Sequence, residues 1–244
     1  MVVLEAQGIS KHFGGVHALD HVDLAVDRGE VVGLIGPNGA GKTTLFNVIC
    51  GARPTAGRIR FKGEDITGLA PYQICRRGIA RTFQLTRPFI DLSVRDNVAS
   101  AVLFGRTDGR VARLADARDV ADGILCSVKL AARRDSPARE LLFSERRRLE
   151  LARALATRPE MLLLDEAMAG LTVAEAQELV EILDKLRREL SLTLLVIEHV
   201  MRIVMTVCDR IVVLNYGSKL AEGTPKEMAG HPAVIDAYLG AEGA

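Results

Sequence analysis

Tryptophan is absent from this chain of 244 residues, and aromatic residues make up only 4% of it, so each aromatic position stands out. Phe13 is the only aromatic residue in the first thirty. Cysteine is scarce: Cys50, Cys75, Cys126 and Cys208 lie far apart and none falls in a C-x-x-C pair. That spacing argues against a disulfide framework or a cysteine zinc site and fits a reducing compartment. Neither sign of charge prevails, with 32 Lys and Arg against 31 Asp and Glu, so net charge makes no case for a nucleic-acid partner. Long apolar runs are missing too. The greasiest region, Leu192 to Leu214, is broken by Glu198, His199, Arg202, Asp209 and Arg210, and cannot span a bilayer. The opening Met1 to Ala6 carries no basic leader. Together these absences predict a soluble, cytoplasmic chain, and the sequence shows no internal repeat and no low-complexity tract.

What is present is concentrated in one stretch. Val31 to Ile35 is an apolar run of strand length. It is followed by Gly36, Pro37, Asn38, Gly39, Ala40, Gly41, Lys42, Thr43 and Thr44, and then by a helical pattern. Gly36, Gly41, Lys42 and Thr43 satisfy G-x-x-x-x-G-K-[ST], the phosphate-binding loop. Glycines let successive backbone N–H groups turn inward on phosphate oxygens, and the next helix aims its positive end at the same anion. Lys42 is expected to reach the β- and γ-phosphates of a nucleotide, and the Thr43 hydroxyl to ligate Mg2+.

In chain order, Val2 to Gln7 and His21 to Val26 read as short strands, joined through Ser10 to Gly15. Within that joint Phe13 reads either as core or as a ring that stacks on a base. Strands are expected at Arg58 to Phe61 and Ile79 to Gln84, with a short helix at Pro71 to Arg77 between them. From Arg87 to Glu140 helical spacing replaces alternation and arginines are frequent, which reads as an inserted helical subdomain. Gly105 to Arg110 is expected as a loop there. The arginines read as a solvated face, with a basic docking surface as the alternative. A helix over Leu141 to Thr157 is expected to start near Ser144. Met161 to Asp165 is a buried strand ending in two acids, Asp165 and Glu166, as suits the ligand end of a parallel sheet. After a helix over Val173 to Leu190, the strand Thr193 to Ile197 ends in Glu198 and His199. Strands at Ile211 to Leu214 and Lys219 to Ala221 and a helical tail over Pro225 to Leu239 complete the chain.

The order of these motifs resembles the nucleotide-binding subunits of ABC transporters over nearly the whole length. Phe13, Gly36 to Thr44, Gln84 in Arg81-Thr82-Phe83-Gln84, Asp165 and Glu166, Ala169 to Thr172 and His199 carry the likeness. Within that superfamily the chain is most similar to the larger ATPase of branched-chain amino acid importers and their urea or amide relatives. Phe13-Gly14-Gly15, Arg81 to Gln84, Arg147 to Glu150, Ile197 to His199 and Ala237 to Gly240 support this. The last of these is shared with the lipopolysaccharide-export ATPase, which is the alternative.

The resemblance implies an α/β P-loop fold with an N-terminal antiparallel β-subdomain and an inserted α-helical subdomain. The catalytic lobe would be 1–86 and 158–244, and the helical subdomain 87–157. It implies ATP and Mg2+, with Phe13 stacking on adenine and Thr43, Gln84 and Asp165 arranging the metal. Lys42, Glu166 and His199 would be catalytic, Glu166 by polarising the attacking water. The implied partners are two permease subunits, a second ABC ATPase and, indirectly, an extracytoplasmic solute-binding protein, but no nucleic acid. The implied location is the cytoplasmic face of the membrane, held peripherally.

One segment departs from the family pattern. The family has Leu-Ser-Gly-Gly-Gln, or Leu-Ser-Tyr-Gly-Glu-Gln in the amino acid importers, and this segment acts on the nucleotide of the opposing subunit. Here the residues are Leu141, Leu142, Phe143, Ser144, Glu145 and Arg146. Either Ser144 caps the helix and its end, aided by Arg146 to Arg148, still attracts phosphate, or the segment is degenerate. The second reading implies an asymmetric pair with a non-identical ATPase, in which the site on Lys42 and Glu166 stays competent. A weakly hydrolysing regulatory subunit is a further alternative. Ala167, where proline is usual, is a milder departure.

Overall fold

The computed structural model describes residues 1–82, 87–106 and 113–239. The chain begins with β1 (Val2–Phe13), β2 (Val16–Asp27), β3 (Val31–Ile35), α1 (Lys42–Ile49), β4 (Ala56–Phe61) and β5 (Glu64–Asp65). Next come α2 (Pro71–Arg77), β6 (Ile79–Arg81), α3 (Val94–Phe104), α4 (Leu114–Ser127), α5 (Phe143–Ala156), β7 (Met161–Asp165) and α6 (Val173–Leu190). It finishes with β8 (Thr193–Ile197), α7 (Met201–Val207), β9 (Arg210–Asn215), β10 (Ser218–Gly223), α8 (Pro225–Ala229) and α9 (Pro232–Leu239). Two compact units result, one of residues 1–71 with 193–244 and the other of residues 72–192.

The first unit holds an antiparallel sheet in the order β2-β1-β4-β5. Leu4 faces Val26, Ala6 faces Leu24 and Ile9 faces Val22, and all six are buried. The first two strands are twice the length expected from sequence. Register shifts between Ala6 and Ile9 and between Ile9 and Lys11 break the two-residue alternation, so the hydrophobic pattern ends before the strand does. Gly8, at φ 57°, sits inside the first shift. The unit's other strands run β10-β9-β3-β8, with β3 parallel to both neighbours and β9–β10 an antiparallel hairpin. Every residue of β3 and of β8 is buried, as a central parallel strand requires. At the start of β3, Asp209 accepts from Val31 N–H at 2.8 Å, and Arg210 binds Glu30 at 2.8 Å.

In the second unit β6 and β7 pair in parallel, Ile79 with Met161 and Arg81 with Leu163. Helices α3, α4 and α5 pack on one another through Val98, Val102, Ala117, Ala121, Leu125, Leu149 and Ala152, all buried. Ser93 caps α3 by accepting from Asp96 N–H at 3.0 Å. Many arginines of this region are committed inside the unit. Arg118 binds Asp96 at 2.7 Å, Arg95 binds Asp122 at 3.2 Å and also Asp135, and Arg139 binds Asp91 at 3.0 Å. The Arg118 guanidinium holds the Asp96 carboxyl below its ordinary range. These pairings fit the solvated-face reading of the arginines better than a bare basic surface. Positions 107–110 of the expected loop lie outside the described residues. Among the described residues no helix is long and apolar enough to cross a membrane.

Candidate nucleotide site

The loop between β3 and α1 is built around glycines that no other residue can replace cheaply. Gly36 has φ 147°, and a Cβ there would stand 2.1 Å from the Leu214 carbonyl oxygen. Gly41, at φ 102°, caps α1, and a Cβ there would meet the Ala18 carbonyl oxygen at 2.5 Å. The backbone therefore lies against neighbouring strands closely enough to turn its own amides toward a ligand. The first turn of α1, Lys42 to Leu45, carries no acid, so the positive end of the helix is unopposed.

Lys42 arches back over the loop. Its side chain is only 6% exposed, and its Nζ donates to the carbonyls of Gly36 at 2.7 Å and Pro37 at 2.9 Å. Asn38, Gly39 and Thr43 are exposed, Pro37 and Thr44 half-buried, and Ala40 buried. Two distant elements hold the loop. Gly217, in the β9–β10 turn, donates to Ala40 O at 3.1 Å. Gly36 N–H donates to the Tyr238 hydroxyl of α9 at 2.9 Å. Sequence reasoning did not single out Tyr238 for this, because nothing local links positions 202 residues apart.

Phe13 ends β1 with 56% of its surface exposed, which removes the core reading of this ring. Lys11 Nζ sits 5.0 Å from its centroid. His199 is exposed in the loop after β8. Because β8 is parallel to β3, with Leu34 opposite Ile197, His199 emerges at the same strand edge from which Gly36 leaves β3.

In the second unit β7 is buried throughout and delivers Asp165 at its end. The Asp165 carboxylate is bound by Arg81 of β6, Nη2 to Oδ2 at 2.6 Å. Thr82 Oγ1 accepts from Asp165 N–H at 3.3 Å, and Thr82 N–H donates to Leu163 O at 2.9 Å. Arg81 belongs to the quoted Arg-Thr-Phe-Gln, but the pairing joins positions 84 residues apart and no local pattern announces it. Glu166 follows in the left-handed region at φ 50°, a costly conformation for a residue with a Cβ, and Ala169 N–H closes a turn on its carbonyl at 3.1 Å. Gln84 lies outside the described residues.

The segment at Leu142 to Glu145 differs from expectation. The N-cap of α5 is Leu142, not Ser144. A leucine side chain cannot accept a hydrogen bond. Instead Glu145 reaches back to Leu142 N–H at 2.9 Å, and Arg133 pairs with Glu145 at 3.4 Å. The Glu175 carboxyl of α6 is held below its ordinary range by the Thr172 N–H and then by the hydroxyl of Ser144, which sits within the first turn of α5. Leu142 is 69% exposed. The half-exposed Phe143 ring covers Gly170, where a Cβ would meet it at 3.1 Å. The adjacent arginines are engaged within the unit. Arg146 donates to Leu141 O at 3.0 Å, Arg147 stacks on Phe143 at 5.1 Å, and Arg148 pairs with Glu178 at 3.7 Å. They are not three loose cations at the helix end.

The cradle closed by Gly36 and Gly41 suits a phosphate chain. In the first unit the Thr43 hydroxyl, and in the second the Asp165 carboxylate, are each hard oxygen donors of the kind Mg2+ takes. Among the described residues no three His, Cys, Asp or Glu side chains cluster as a metal site.

Comparison with known proteins agrees. Residues 19–169 match the ABC transporter family, and residues 218–244 match the family described as branched-chain amino acid ATP-binding cassette transporter. The chain is 41% identical to the high-affinity branched-chain amino acid transport ATP-binding protein BraF of Pseudomonas aeruginosa, with 98% of each chain covered. It is 41% identical to LivG of Escherichia coli over the same shares. The structure superposes on the ADP conformation of MJ1267, an ATP-binding cassette of an ABC transporter, with a TM-score of 0.90 and 32% identity, covering 98% of this chain and 99% of that one. The chain therefore belongs to the ATP-hydrolysing, ATP-binding subunits of ABC transporters.

Proposed function

We propose that this subunit powers the import of branched-chain amino acids. Its near full-length identity to BraF and LivG, together with the match over residues 218–244, carries the reading. The transported solute would never touch this chain. Two permease subunits and a second ABC ATPase would be its direct partners, and a solute-binding protein would act on the far side of the membrane. The catalytic lobe would be 1–86 with 158–244, and 87–157 the helical subdomain through which Gln84 signals to the permease.

In this reading the amides from Gly36 to Thr44 bind the phosphates, and Phe13 stacks on the base. Lys42 exchanges its two loop carbonyls for phosphate oxygens. Thr43, Asp165 and Gln84 hold Mg2+, which when bound neutralises phosphate charge. Glu166 accepts a proton from the attacking water, and His199 steadies that water and the terminal phosphate.

The altered segment supports an asymmetric pair of ATPases. Leu142 has no hydroxyl to offer an opposing phosphate. Loss of one charged hydrogen bond costs about 1.5–3 kcal/mol, roughly ten- to a hundredfold. Because that loss falls on the partner's nucleotide, the site on Lys42 and Glu166 carries the turnover.

The test is purification of the chain with its membrane partners, followed by ATPase and leucine-uptake assays. Glu166→Gln should remove most turnover and uptake, and the matching change in the partner ATPase should remove less. Equal loss from both changes refutes the asymmetry. Recovery with soluble partners only refutes the importer reading, and uptake of another solute alone refutes the branched-chain assignment.

A further inference from the structure

The pairing of Arg81 with Asp165 has no place in the roles given above. Both side chains are sequestered, Arg81 at 9% and Asp165 at 5% exposure, and their contact is 2.6 Å. It is also fixed from behind. Arg81 and Asp165 end two adjacent parallel strands, and Thr82 binds the backbone of β7 through both its N–H and its hydroxyl. A carboxylate taken out of water with a guanidinium against one oxygen is electrically spent. To a divalent cation it offers direction, but little net charge.

We propose that Arg81 is a positioning residue for the metal site. It aims the Asp165 carboxylate and cancels its charge, so that Mg2+ is taken up with nucleotide phosphates and not ahead of them. This rests on the reading of Asp165 as a Mg2+ residue. With Oδ2 held by Arg81, a metal or a metal-bound water would be met by Oδ1. The attraction that brings the cation in must then come from the phosphates. A free chain therefore does not collect divalent cations at this strand end, and loading of the metal is tied to loading of the nucleotide.

The experiment titrates Mn2+, by electron paramagnetic resonance, into the full chain with and without a non-hydrolysable ATP analogue. The wild type should bind Mn2+ only with the analogue. Arg81→Gln leaves the carboxylate uncancelled, and nucleotide-free Mn2+ binding should tighten by roughly tenfold or more, since an unpaired buried charge is strongly driven to find a partner. Adding Asp165→Asn to Arg81→Gln should abolish that gain. Arg81→Lys keeps the charge but loses the fixed fork. It should still exclude nucleotide-free Mn2+ while weakening the Mn2+–analogue complex.

If Arg81→Gln does not fold, Arg81→Lys decides: tight nucleotide-free Mn2+ binding there overturns the proposal. So does a folded Arg81→Gln whose nucleotide-free binding equals the wild type's. Asp165→Asn alone separates the two levels. If it leaves the Mn2+–analogue complex unchanged, the metal role of Asp165 fails. If it weakens that complex while Arg81→Gln changes nothing, only the role of Arg81 fails.

Discussion

Tyr238→Phe removes a single oxygen atom that lies 202 residues from the loop it holds. The Gly36 N–H that it accepts is buried, and the bond is 2.9 Å long. Burial pushes the tyrosine hydroxyl above its ordinary pKa, against a smaller opposing pull from the Gly36 N–H, so the group is a neutral phenol at pH 7. Phenylalanine keeps the ring packing and leaves the amide without its acceptor. A neutral hydrogen bond is worth about 0.5–1.5 kcal/mol net, and a buried N–H left unmade costs about 1–3 kcal/mol. Taking about 2 kcal/mol, thermal unfolding of a chain this size should move down by about 4–8 °C. If the freed loop must be re-ordered by the ligand, about 1–2 kcal/mol also appears as a roughly five- to thirtyfold weaker Kd for ATP. Calorimetric unfolding and titration with a fluorescent ATP analogue measure the two effects separately. Unchanged Tm and unchanged Kd would refute the claim that α9 holds the loop. A lower Tm with wild-type Kd would restrict the bond to stabilising the fold.

Two further outcomes follow from the cysteine and capping geometry. Burial pushes the Cys208 thiol up to about 12, with Asp209 and Glu198 adding to the effect. In native protein at pH 8 iodoacetamide should label the exposed Cys126 and spare Cys208, and fold stability should decline as pH rises from about 8.5 towards that value. Native labelling of Cys208 at the rate of Cys126 would contradict this. Glu175 is held below its ordinary pKa by the Thr172 N–H, then by the hydroxyls of Ser144 and Thr172. Its contribution to stability is therefore present above the ordinary carboxylate range and fades as pH falls through the lowered value. Ser144→Ala should raise the Glu175 titration seen by carboxyl-carbon NMR, and an unmoved titration would show that the hydroxyl contributes nothing.

The parts legible in the sequence were those whose information is local. The glycine loop, the strands at Val31, Met161 and Thr193 and the acid that ends β7 each announce themselves within a dozen residues. The long β1–β2 hairpin was half-hidden, because its register shifts scramble the alternation that identifies a strand. The start of α5 falls at Phe143, beside the Ser144 that marks it in the sequence, but its capping residue is Leu142. Ser144 is the favoured capping residue type, yet Glu145 satisfies the Leu142 amide from within the first turn. Arg81 with Asp165 and Gly36 with Tyr238 were illegible for a simpler reason. Strand pairing brings the first two together and the docking of α9 the second two, and neither event leaves a trace in the spacing of nearby residues.

The tether between Gly36 and Tyr238 also bears on how the protein is made. A ribosome delivers the glycine loop long before its supports at Gly217 and Tyr238, the latter 202 residues after Gly36. Contacts of such long separation close late, after the entropy of the intervening loop has been overcome. A nascent chain halted before α9 thus carries the complete phosphate-binding motif without the hydroxyl that holds its first amide.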